Sequence, residues 1–517
     1  MRKIVIFAFT LVWLLSALVP AESASDKPKR GGTLTMAIRK DLSLMNPMVR
    51  TSSTDKSIRD LVFESLVGID LKGNIQPNLA ESWEISRDGK LYTFNLRKGV
   101  KFHNGQEMTA EDAKFAMEFT MNPKNGAYGY SRFTLVERVD APDKHTLKIT
   151  LKKSSPAFLA ALSSIQSVSV IPKGSLQEGV DKPSNYPPGT GPFRFVEWKS
   201  RQQIVFERNE NYWGHKPFVD RLILRPIPDE TVRMTALRAG DIDLVEVAPY
   251  AWVKQIVEGK LKGIVYAEAE HAGFRVLKFN VSAPPFNNKK LRQAVAHALD
   301  RKEILQATYS GFGQPADQRY PKGHLWYFDG VRPPPYDLEK AKTLLKEAGY
   351  KGEPIELMLR QGEQEIEAVT IQAQLKKIGM NVKLSVFEYG TYTYHQRSGE
   401  FAFLPSGGDY HSDPMLTYGP EYLCVADAKK RAENDTGYCD KEMNALIQRA
   451  ETELDPEKRR EIVRQIVQKG AEDLPEIAIG FVPRFFAFRD HVKGFSTDSE
   501  GAFRWFRGGL NYTWLDK

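Results

Sequence analysis

The sequence predicts an α/β protein built of several domains, and three observations carry that reading. Two apolar strand patterns, Ile355 to Leu359 and Val382 to Phe387, flank a helical pattern from about Gln364 to Ile378. Parallel strands joined by a helical crossover require the right-handed connection. Earlier, Asp229 caps a helix whose apolar stripe is Val232, Ala236 and Leu237; Gly240 ends it, and a strand from Ile242 to Val247 follows at once. That short join suits an α/β layer. Finally, 517 residues are too many for one core, and domains of ~150 residues give about three.

Composition narrows the class. Hydrophobic residues at 41% and charged residues at 27% describe a soluble globular protein. The net charge of +8 is spread widely, with no dense basic block interleaved with aromatics, so nucleic acid is not an expected partner. Arg2 and Lys3 precede an apolar run from Ile4 to Val19, and the small residues Ala21, Ser23 and Ala24 follow. This order describes a secretory signal peptide over residues 1–24, cleaved after Ala24. The run is shorter than the ~20 residues a membrane span prefers. Cys424 and Cys439 would then meet an oxidising compartment. A disulfide is favoured over two separate buried thiols, and closing a loop of ~15 residues contributes about 3 kcal/mol.

In chain order, Gly32 to Ile38 alternates Leu34, Met36 and Ile38 as a first strand. The stretch LSLMNPMVRTSSTD reads as a loop, and Asp60 to Val67 as a helix end. Trp83 and Ile85, then Tyr92, Phe94 and Leu96, alternate with polar residues around Asp88-Gly89 and make a hairpin. Thr109, with Asp112 three residues on, caps the next helix. Val136 to Leu151 holds two strands around APDKHT, Phe158 to Leu162 a short helix, and Val168 to Ile171 a short buried strand. Asn287 or Asn288, Asp300 and Asp337 start three helices, and Asp440 and Asp455-Pro456 start two more before a closing strand from Ile477 to Phe488. GTGPF lacks the third glycine and following helix of a dinucleotide fingerprint.

The run from Gly73 to Gly105 and on to Asp112 closely resembles the diagnostic segment of the extracytoplasmic solute-binding proteins of the peptide, opine and nickel class, which serve ABC importers. Pro77 to Trp83 matches its PxLAxSW, Asp88 to Gly105 its DGxxYTFxLRxGVKFHxG, and Thr109 to Asp112 its TAxD. GTGPF (Gly189 to Phe193), NENYWG (Asn209 to Gly214) and DETVRMTALRAGDIDL (Asp229 to Leu244) are further matches, as are FNVSAPPFNNKKLRQAVAHALDR, AKTLLKEAGY and LKKIGMNVKL. The resemblance implies a type II periplasmic-binding-protein fold: two α/β lobes, a hinge, and an extra domain on the first lobe. Carried onto this chain, lobe I takes 25–56, 189–271 and 480–517, the extra domain 57–188, and lobe II 272–479.

It also implies a site. A peptide-like, opine-like or similar zwitterion needs a partner for each charge, because desolvating either alone costs several kcal/mol. The positions matching the family's acid and arginine are Asp409 in SGGDYHSDP and Arg360 at the end of IELMLR. Thr51, Ser52 and Ser53 match a hydroxyl-bearing loop of the first lobe, and Tyr410 and His411 stand ready to stack or hydrogen-bond, as do Tyr389, Tyr392 and Tyr394. Where the family often has an aromatic residue before the acid, Ser406, Gly407 and Gly408 stand here, which leaves room for a bulkier or more polar ligand. The expected partners are that ligand and an inner-membrane ABC permease; the chain is expected to act as a periplasmic monomer without a cofactor. Nine scattered histidines show no HxxxH, HxH or CxxC spacing, so metal would enter only inside a chelator, as chelated nickel does in one branch of the family. A secreted hydrolase and a sensor subunit are competing functions. No GxSxG, HExxH, SxxK with SDN and KTG, or Walker A motif supports an enzyme.

Overall fold

The computed structural model describes residues 27–49, 52–70, 73–176, 186–362, 364–408, 411–425, 433–497, 503–505 and 508–517. The signal peptide read over 1–24 lies outside them. Among the described residues no helix is long and apolar enough to cross a membrane.

A mixed sheet of eleven strands organises the molecule. At one end the parallel pair Ile355–Arg360 and Val382–Phe387 is joined by the helix Glu365–Lys376, the expected strand-helix-strand unit. At the other end Thr33–Ile38 runs parallel to Arg221–Pro226, with Gln203–Arg208 and Phe193–Lys199 beyond. Two long antiparallel strands, Ile264–Phe279 and Glu476–Arg489, connect these halves. Sixteen residues at ~3.3 Å each reach about 50 Å, so one strand serves both halves. Their register breaks between Ala269 and Gly273, where a Cβ on Gly273 would stand 2.7 Å from Val482 Cγ2. Each half has its own apolar core: Leu34, Met36, Leu222 and Phe486 in one, Leu277, Leu357, Ile371 and Ile479 in the other.

Residues 80–151 form a separate antiparallel sheet of four strands. The hairpin of Ala80–Ile85 and Leu91–Leu96 pairs Ile85 with Tyr92, and Gly89 takes the left-handed conformation (φ 68°) that its turn demands. The helix Ala110–Met121 carries the Thr109/Asp112 capping box and buries Ala113, Ala116 and Met117. Cys424 and Cys439 are bonded to each other.

The structure departs from the sequence reading in four places. TSSTD is not a plain loop: Ser52 caps the helix Ser53–Arg59 in a capping box with Asp55, so the helix placed at Asp60 to Val67 lies one segment earlier. Val168 to Ile171 is buried but belongs to no strand. Val232 is 55% exposed, and the inward face of Glu230–Ala239 is Arg233, Met234 and Leu237 instead. The strand expected from Ile242 to Val247 shrinks to Leu244–Val245.

Several of the family motifs meet at one buried carboxylate. Thr190 of GTGPF and Tyr212 and Trp213 of NENYWG all donate to Glu64 at 2.9 Å. The His103 amide donates to the Gly189 carbonyl, and its Nε2 lies 2.9 Å from the Gly191 carbonyl. These motifs are thus scaffold: they fasten the four-stranded region to the main sheet. Gly189 is where the fastening is tightest, since a Cβ there would lie 1.9 Å from the Val62 carbonyl oxygen. Gly189→Ala is expected to cost about 3 kcal/mol, read as a lower urea midpoint with an unchanged slope. An unchanged midpoint would show that the crossing shifts freely.

Candidate ligand-binding cleft

A cavity of about 1280 Å³ lies between the two halves of the main sheet. That exceeds the ~300–1,000 Å³ usual for small-ligand sites. The helix starting at Ser53 contributes Ser52, Ser53 and Lys56, and the four-stranded region contributes Arg97, Tyr128 and Arg132. The opposite wall holds Arg275, Lys278, Arg360, Tyr389, His411 and Glu421.

Of the expected site residues, Arg360, Ser52, Ser53 and His411 all line this one cavity. Asp409, Tyr410 and Thr51 lie outside the described residues. Ser52 is largely committed to its cap, accepting from the Asp55 amide at 3.3 Å and donating to the Asp55 carboxylate at 3.1 Å. Ser53 Oγ accepts from Arg39 Nη2 at 3.1 Å. Arg360 closes its strand with its amide on Gln364 Oε1 at 2.8 Å, and its guanidinium lies 5.6 Å from the Tyr389 ring centre. Lys40, from the other half, lies 5.3 Å from the same ring. Tyr392 lines the cavity as well, and its hydroxyl donates to the Pro405 carbonyl at 2.9 Å. Tyr394 is 63% exposed.

His411 approaches Arg132 Nη2 at 3.5 Å through Nε2. Burial, with Arg132, Lys56 and Arg319 adding to it, pushes its imidazole down to about 3. The ring is therefore neutral and offers a lone pair at ordinary pH.

The glycines before Asp409 serve a purpose the sequence did not suggest. A Cβ on Gly407 would stand 3.1 Å from Arg275 Nη1, and one on Gly408 3.1 Å from Arg319 Nη1. The space without side chains is taken up at least partly by these guanidinium groups. They belong to a buried charged cluster, which reaches the cavity through Arg275, Lys278, Glu421 and Asp435 and which spacing alone could not reveal. Arg275 pairs with the buried Glu367; Lys278 pairs with Asp435 at 3.0 Å; Arg319 pairs with Glu421 and Glu476, both at 2.7 Å. Burial pushes the Glu421 carboxyl up to about 7 against the pull of Arg319 and Lys278. Among the described residues, the Lys278 and Arg319 pairs set two cations against three carboxylates.

Sequence patterns gave no sign of Arg97 and Arg132 as cleft residues. Arg97 donates to the Asn78 carbonyl and lies 4.6 Å from the Trp213 ring centre. Arg132 donates to Ser167 Oγ at 2.8 Å and lies 5.1 Å from the Tyr128 ring centre. Among the described residues neither has a carboxylate partner. Arg97 sits inside the LRKG segment of the family motif, but its direction depends on tertiary packing.

A cleft between two halves that share continuous strands, walled by charged and aromatic side chains, defines a ligand-holding protein. The chain belongs to the bacterial extracellular solute-binding proteins, family 5, whose model matches residues 74–424. It is 30% identical over 489 residues to a dipeptide-binding protein of Escherichia coli strain K12, covering 88% of this chain and 90% of that one. The periplasmic binding protein DppA from Helicobacter pylori in complex with the peptide STSA is 28% identical, with a TM-score of 0.82 and coverage of 95% and 99%. The binding protein AgaA from A. tumefaciens R10 in complex with agropinic acid is 27% identical, with a TM-score of 0.81 and coverage of 94% and 99%. The fold is the type II form expected, and the protein is the substrate-binding kind of component that this family supplies to import.

Proposed function

We propose that the protein is exported, loses residues 1–24, and captures a small polar solute bearing carboxylates, of peptide or opine type. It binds the solute as a monomer between a lobe of 25–56, 189–271 and 480–517 and a lobe of 272–479, with 57–188 as the extra domain. Closure follows because a ligand touching both walls binds the closed state better. The loaded form delivers its cargo chemically unchanged to an ABC permease in the inner membrane.

One observation carries the ligand class. Arg97 and Arg132 face the cavity without a carboxylate partner among the described residues, and Arg360 lines the opposite wall. Planar guanidinium groups in such a setting select carboxylates. Asp409, at the family's acid position, together with Glu421 and Asp435 on the cavity wall, suits the ligand's amine. The relatives that hold a tetrapeptide and agropinic acid support the same class.

Thermal-shift screening of peptides and opines, each paired with its carboxyl-amidated form, tests this. Amidation is expected to abolish the shift. Arg132→Ala and Arg360→Ala should each weaken binding about 10–100-fold, the loss of a charged hydrogen bond. Amidated and free ligands binding alike would exclude this class. Recovery of intact ligand after incubation separates binding from hydrolysis. A chelated metal as cargo is the second reading, favoured by the neutral His411 imidazole at the cavity wall; titration with nickel and histidine together distinguishes it.

A further inference from the structure

The region 57–188 touches the second half of the molecule at a corner whose hairpin-tip and loop residues do not line the ligand cavity. Lys153 Nζ lies 2.9 Å from Glu451 Oε2, and Ser154 Oγ donates to the Thr452 carbonyl at 3.1 Å. In the hairpin turn, a Cβ on Gly89 would stand 2.8 Å from Leu454 Cδ2. Ala157 is buried in the same apolar cluster as Met443, Leu446 and Ile447 of the helix Lys441–Ala450. Leu416, which also lines the cavity, packs against both that cluster and the core containing Tyr92 and Phe158. None of Gly89, Lys153, Ser154, Ala157, Glu451 or Leu454 lines the cavity.

We propose that this corner is a clasp: the hairpin tip and the Lys153–Ala157 loop lock onto the 451–454 corner and stabilise the closed form without help from cargo. The inference rests on the two-lobe reading above. A contact made only in the closed state multiplies the closed:open ratio by its own equilibrium factor. Ligand affinity follows that ratio, because only the closing-competent population binds fully. The clasp therefore tunes affinity from outside the site. It also gives the extra domain a role: it reaches the far lobe at a point beyond the ligand.

Distances between nitroxides on Lys144→Cys and Lys346→Cys, measured by electron double resonance on unliganded protein, test this. Both positions are exposed, one in the region 57–188 and the other on the helix Leu338–Glu347. The expected result is a short-distance and a long-distance population. Lys153→Glu should lower the short one about threefold, since it replaces a surface attraction by a repulsion. Leu454→Asp should lower it about tenfold, and Lys153→Glu combined with Glu451→Lys should restore it. Lys153 and Leu454 are 54% and 44% exposed, so folding is not at stake. Two populations whose proportions ignore these changes overturn the clasp alone. A single distance in every variant overturns the clasp and the two-lobe reading together.

Discussion

Asp413→Ala is expected to destabilise the protein by about 3–5 kcal/mol, the cost of stranding one partner of a buried ion pair. Arg459 grips Asp413 with both terminal nitrogens, at 2.6 and 2.8 Å, and the two side chains are only 6% and 9% exposed. Arg459 also donates through Nε to the Ala450 carbonyl at 2.8 Å and lies 5.6 Å from the Trp326 ring centre, so it cannot simply swing into water. Asp413 Oδ1 accepts the Met415 amide as well, holding the start of the helix Met415–Tyr422. Because His411 and Ser412 directly precede it and line the cavity, the variant should lose ligand binding along with stability. Urea unfolding measures the first effect. Replacing Asp413 and Arg459 together by apolar residues should cost less than Asp413→Ala alone, since no bare charge remains. A single variant within about 1 kcal/mol of the parent would contradict the burial argument.

Acidification is the second large effect. His411 is held down to about 3 in the folded state, against an ordinary value near 6.5. Burial with Arg132, Lys56 and Arg319 nearby is the cause. Below pH ~6.5 the unfolded chain takes up a proton on this ring that the folded chain refuses, so stability is full above that pH and falls as pH drops toward about 3. The slope approaches about 1.4 kcal/mol per pH unit, and the cavity's water should reduce it. His324, pushed down to about 4 by burial, acts in the same direction. Melting temperatures between pH 7 and 4 should fall less steeply for His411→Asn than for the parent, with part of the slope left to His324. Parallel curves would mean that His411 titrates freely in the folded protein. Opening the cleft is one way for His411 to gain a proton, so low pH should also favour the open form.

Local physics was legible where residue chemistry is decided within a few positions. Asp229, Asp337, Asp440 and Asp455 cap the helices expected of them, and Asp88-Gly89 turns the hairpin. The capping box at Ser52 and Asp55 carried the same local signal, but Pro47 and the hydroxyl cluster argued for a loop. Val168 to Ile171 has a strand's composition; its Val170 amide instead bonds the Glu64 carbonyl outside any sheet. The cleft divides in the same way. Arg360 stands at a position the family resemblance marks and His411 close to the expected acid, whereas Arg97, Arg132, Lys278 and Glu421 come together only when distant strands and helices pack. The glycines before Asp409 could not be understood without Arg275 and Arg319, whose guanidinium groups approach Gly407 and Gly408.

Native mass spectrometry of the protein recovered from its own cells shows directly whether it carries such a solute. The expected result is a single small adduct, released intact on denaturation, carrying at least one carboxylate, and depleted in Arg132→Ala and Arg360→Ala. A bare chain throughout, or an adduct that survives both substitutions at full occupancy, would contradict it.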